Sequence, residues 1–202
     1  CYFTSAQNNF EEPTKEYTMV MGIFRRKVKT LIETPAFSSL LPLLAGEIDF
    51  DKMDYMMSFK LHLLGIAILE GIEEIAKKDA MDIARISLHM GWLLRDASAE
   101  DERSFLERAD LLVKKCAEKG FHFPLNEKEA LEKALYCYDI ALTNSYAVQT
   151  AVEEVRVGLL ISRILMKLER WDDAKNMLAK NREKSKKFEH LIKQKISNSI
   201  QS

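Results

Sequence analysis

The sequence predicts an all-α chain of antiparallel helix pairs stacked into an array of about eight or nine helices. Three observations carry that expectation. Apolar residues recur at helical spacing along nearly the whole chain. Glycine (7) and proline (4) are scarce among 202 residues, which disfavours a turn-rich all-β fold. Helix-start signals, such as Asn126 with Glu129 three residues on, punctuate the periodic stretches.

Residues 1–12 read as an irregular N-terminal piece, and 13–202 as a single helical-repeat domain. Pro13 opens a helix over about 14–33, striped by Tyr17, Val20, Met21, Phe24, Val28, Leu31 and Ile32. Thr34-Pro35 ends it, because a residue before proline avoids the α region. A short turn from Phe37 to Leu44 leads to Gly46. The third helix, about 50–77, is apolar on nearly every side from Leu61 to Leu69, which predicts neighbours on both flanks. Gly65 and Gly71 weaken it by roughly 1 kcal/mol each against Ala, a cost that close approach of another helix offsets. Asp79 reads as the cap of a fourth helix at about 80–96. Ser98-Ala99-Glu100-Asp101 reads as the capping box of a fifth at about 99–119, closed by Gly120. A sixth helix over about 127–146, a seventh over about 150–169 and an eighth from Trp171 to about Lys180 come next. A last amphipathic segment reaches about 199.

Composition bounds the partners. The chain is 47% hydrophobic and 30% charged, enough for a core without staples. Thirty basic against 31 acidic residues leave no global field for nucleic acid. Cys1, Cys116 and Cys137 make no disulfide framework, which fits a reduced, cytoplasmic setting. The longest apolar run, Leu61 to Leu69, falls well short of the roughly 18 residues a membrane span needs. The opening Cys-Tyr-Phe-Thr lacks the basic start of a secretory signal. It also lacks Met, so residue 1 is not expected to be the native start.

Two stretches resemble tetratricopeptide helix pairs. In 151–181, Ile161, Leu165, Ala174 and Leu178 take that spacing, around a turn from Glu169 to Asp173 that includes Trp171. In 86–116, Leu88, Gly91, Leu94, Leu106 and Ala109 do so, joined by Arg95-Asp96-Ala97-Ser98. Ala134, Tyr138 and Ala141 repeat the second-helix spacing alone. The resemblance implies a degenerate, right-handed tetratricopeptide-like array.

A narrower resemblance rests on Ala84 to Asp96, which includes Trp92 and Arg95, and then on Glu102 and Phe105-Leu106-Glu107-Arg108-Ala109. These residues resemble a bacterial domain-of-unknown-function family that couples an N-terminal zinc ribbon to a tetratricopeptide-like helical region. Cys1 to Ala6 and Phe10 are similar to the residues at and just after the last Cys-x-x-Cys of that ribbon. The resemblance covers about residues 1–12 and 50–181. It implies that Cys1 is the final ligand of a ribbon otherwise outside this chain, and that zinc belongs to the full-length protein. The family carries no established activity.

No catalytic set can be placed. His62, His89, His122 and His190 are dispersed and lack metal-ligand spacing. Cys116 and Cys137 lie on apolar stripes and read as small buried hydrophobes. No Gly-x-x-x-x-Gly-Lys loop exists. Arg25-Arg26-Lys27 with Lys29, and Lys180 to Lys195, could track a phosphate backbone, though both read first as solvated faces. The most pointed set is Trp92 and Arg95, three apart on one helix face, with Glu102 across the turn as acidic partner for Arg95. Met53-Asp54-Tyr55-Met56-Met57 is an adaptable apolar patch that could serve self-association. The expected function is a non-catalytic scaffold that binds a protein or peptide, with no cofactor in this part of the chain. The alternatives are a nucleic-acid-associated regulator that uses the ribbon and the basic last helix, and a helical hydrolase.

Overall fold

A computed structural model describes the backbone of residues 15–46, 53–99, 102–143 and 150–200, and the side chains within 22–46, 53–72, 80–99, 102–143 and 150–187. The readings that rest on 1–12 and Pro13 lie outside the described residues. Eight helices and no strand are present among the described residues: α1 (Lys15–Ile32), α2 (Pro35–Leu44), α3 (Tyr55–Gly71), α4 (Glu73–Ala99), α5 (Arg103–Ala117), α6 (Glu127–Thr143), α7 (Ala151–Lys167) and α8 (Trp171–Ile200). The all-α class holds.

Local chemistry sets four of the helix starts. Thr34 accepts from the Phe37 amide, and Pro35 takes the first helical turn, where its missing N–H costs nothing. The segment expected to be a turn is therefore the helix α2. Asp54 Oδ1 accepts from Met57 N at 2.7 Å, and Thr150 Oγ1 from Glu153 N at 3.1 Å. At α6 the predicted signature is met. Asn126 Oδ1 accepts from Glu129 N at 2.9 Å, and Glu129 reaches back to Leu125 N at 2.8 Å. Each such cap stabilises by about 1 kcal/mol.

Three expected boundaries differ. Asp79 lies inside α4, which begins at Glu73. Ser98 and Ala99 continue α4, while α5 starts after Glu102, whose side chain makes no capping bond. The two C-terminal segments are one helix, α8. The third helix stops at Gly71 because Ile72, buried and outside the helical region (φ −99°, ψ 77°), turns the chain back. That reversal lays α4 beside α3, which buries more apolar surface than an extended α3 would.

Two connected cores result. The first gathers Phe37, Leu40 and Leu44 of α2, the centre of α3, the last turns of α4, and Phe105, Ala109, Leu112 and Cys116 of α5. Phe59 and Phe105 meet edge to face at 5.8 Å. The second joins Ala80 to Leu88 of α4 with α6, α7 and Ala174 of α8. α4 spans both cores and packs most extensively on α6, next to which the α7–α8 and α3–α4 contacts are the largest. This order of neighbours is compatible with a helical array. The expected 151–181 pair is the tight hairpin α7–α8. The expected 86–116 pair is looser, because α5 also leans on α2 and α3.

Close approaches fall at small residues. A Cβ on Gly65 would meet Ile86 Cδ1 at 3.2 Å, so this glycine lets α4 lie close to α3, as its cost implied. A Cβ on Gly71 would meet the Leu31 side chain of α1 at 2.7 Å. Gly120 (φ 86°) closes α5: Phe121 N donates to Cys116 O and Gly120 N to Ala117 O. Glu169 (φ 60°) closes α7 through the same pair of bonds, to Leu165 O and Met166 O, with a residue that is strained there.

Candidate functional site: a groove with a basic rim

The expected trio does not converge. Trp92 projects from α4 with 43% of its surface exposed, and its ring lies 5.2 Å from that of His89. Arg95 pairs with Asp96 instead of Glu102: its Nε and Nη2 both donate to Asp96 Oδ1, at 2.9 and 2.8 Å. The pair is exposed and contributes at most about 1 kcal/mol.

His62 of α3 holds its Nδ1 2.6 Å from the Ser58 carbonyl. Burial lowers its pKa, against the carbonyl bond that raises it, and the nearby His89 lowers it further. Cys116 and Cys137 are buried as expected. Burial pushes each thiol up to about 11, outweighing Lys119 beside Cys116 and Lys133 beside Cys137. A structural zinc needs four ligands. Among the described residues no group of three His, Cys, Asp or Glu could hold a metal ion, so the described helices do not fit a zinc centre. Cys1, the ligand implied by resemblance, lies outside them.

Of the basic stretches, the side chains from residue 188 on lie outside the described residues. Arg25, Arg26, Lys186 and Lys187 are exposed, and Lys184 pairs with Glu154 of α7. No helix among the described residues is long and apolar enough to cross a membrane.

Sequence reasoning passed over three features. Ser87, fully buried in α4, has no partner for its hydroxyl among the described residues. Lys133 of α6 reaches Glu70 of α3 at 2.6 Å, a half-buried pair that ties α3 to α6. The third is a groove of about 200 Å³ between α2, α3 and α5. Leu43, Met56, Leu111 and Leu112 line it, with Lys60, Arg108 and Lys115. Leu111 is 54% exposed. The signal for it was present on α5: Arg108, Leu111, Leu112 and Lys115 stand at the i, i+3, i+4, i+7 positions of one face. Met56 of the methionine-rich patch forms part of its floor rather than a separate surface.

No curated protein and no solved structure matches this chain. A family model described as "Uncharacterized protein conserved in bacteria (DUF2225)" matches residues 1–202. The chain therefore belongs to that bacterial family of uncharacterised proteins, as the stretch from Ala84 to Ala109 implied.

Proposed function

We propose that the chain is a non-catalytic protein-interaction module of the tetratricopeptide-like kind, a helical frame that presents apolar side chains to a partner. One observation supports this above others. Large apolar side chains stand out from several helices of a well-packed frame: Trp92 on α4, Leu111 on α5 and Tyr136 on α6. Leu111 among them borders a groove whose apolar lining, Leu43, Met56 and Leu112, is flanked by Lys60, Arg108 and Lys115, an arrangement that favours a contact surface. The chemistry of the described groups agrees. Both buried thiols are held protonated, so they make poor nucleophiles. The setting proposed for this module is the reduced cytoplasm, with zinc confined to a ribbon outside the described residues.

The test is affinity capture of the tagged full-length protein from its own bacterium, with reciprocal capture from the partner's side. A defined partner recovered both ways, and reduced when Trp92, Leu111 and Tyr136 are changed together to Ser, supports the module. Recovery of no reciprocal partner under gentle conditions overturns it.

A further inference from the structure

We propose that the groove between α2, α3 and α5 receives an acidic amphipathic helix of a partner protein. The proposal deepens the interaction-module reading and rests on it. Its floor is aliphatic: Leu43, Met56, Leu111 and Leu112. Its charged lining is cationic throughout, with Lys60, Arg108 and Lys115 and no carboxylate. Among the described residues, Arg108 and Lys115 have no ion-pair partner, whereas neighbouring Lys114 is held by Asp110 at 2.6 Å. Lys60 donates to the Gly46 carbonyl at 3.4 Å.

Shape selects the class of ligand. At about 200 Å³ the groove is smaller than the roughly 300 Å³ at which enclosed small-molecule sites begin. It suits a few side chains of a ligand that lies along it. The α5 stripe from Arg108 to Lys115 covers two turns, about 10 Å at the usual helical rise. That is the length over which a docked helix presents its i, i+3, i+4 and i+7 anchors. Leucines between two cations call for apolar anchors flanked by Glu or Asp. Single-stranded nucleic acid is disfavoured, because it is gripped by stacking on aromatic rings and this lining has none.

The test uses the full chain and a fluorescein-labelled helix-forming peptide of about 18 residues, long enough to hold a helix. It carries Leu anchors at helical spacing and Glu at the flanking positions. A matched peptide carries Lys in place of Glu, and a single-stranded oligonucleotide serves as a third probe. The acidic peptide binds the wild type, and the affinity falls about tenfold with Arg108→Glu plus Lys115→Glu, and again with rising salt. Leu111→Ser weakens it as well, while circular dichroism stays unchanged because the residue is exposed. Equal binding of the acidic and basic peptides, tighter binding of the oligonucleotide, or binding unmoved by the double reversal overturns the proposal. So does a self-associated chain in sedimentation that Leu111→Ser turns into a monomer, because the occupant is then a second copy. A partner captured reciprocally and equally by wild type and double reversal overturns the groove alone and leaves the interaction module standing.

Discussion

Asn181 of α8 lies directly against Gly158 of α7: a Cβ at Gly158 would stand 2.7 Å from Asn181 Cγ. Asn181 is 5% exposed and donates to the Val155 carbonyl at 3.4 Å. The glycine therefore exists to admit a polar side chain into the α7–α8 seam, one turn from Ser162, which returns its hydroxyl to Gly158 O at 2.8 Å. Gly158→Ala forces the asparagine out and destabilises by about 1–3 kcal/mol. Asn181→Ala frees the space, so the double variant costs clearly less than the sum of the singles. Urea unfolding of all four proteins measures the coupling, and strict additivity contradicts the contact.

Glu169 occupies the left-handed position at the end of α7 that Gly120 fills at the end of α5. A side chain there costs roughly 1 kcal/mol or more. Glu169→Gly raises the urea midpoint by a corresponding amount, and a lower midpoint shows that the Glu side chain makes a compensating contact.

The buried thiols give a pH signature. Each titrates from an ordinary 9.0 when unfolded to about 11 when folded. Between these values the folded chain holds the proton that the unfolded chain releases, so stability falls as pH rises from about 9 to 11. In a Cys1→Ser background, Ellman's reagent at pH 8 labels neither native thiol and labels both in denaturant. Fast labelling of the native protein contradicts the burial.

His62 acts with the opposite slope. Its folded pKa lies below 6.5, so the unfolded chain takes up a proton that the folded chain refuses. Stability is present above pH 6.5 and lost as pH falls below it. Burial sets this shift, with the nearby His89 adding to it and the Ser58 carbonyl opposing it. His62→Gln flattens the dependence of unfolding free energy between pH 7 and 5, and an unchanged slope assigns it to other groups.

These features separate what is local from what is not. The α6 cap was legible because Asn126 and Glu129 act on amides within one turn. The enclosure of α3 was legible because Leu61 to Leu69 leaves no polar face. Asp79 and Ser98 misled because a cap motif needs only a few residues, while burial of Ala80, Met81, Ile83 and Ala84 on one side and Ala97 on the other carries α4 through both. Arg95 was expected to pair with Glu102 and pairs with Asp96, a choice of partner that spacing does not encode. The Gly158–Asn181 contact and the groove both need the packing of separate helices. Only the α5 stripe of the groove was written in one place.

We propose above that this helical frame binds a protein through the surface around α5. A photo-crosslinking amino acid at Leu111, in the full-length protein expressed in its own bacterium, tests it most directly. The control carries the same group at Asp172, whose side chain is 95% exposed on α8. Position 111 gives a discrete adduct, absent from position 172, whose crosslinked peptide is acidic and amphipathic. No adduct from position 111, or the same adducts from both positions, contradicts it.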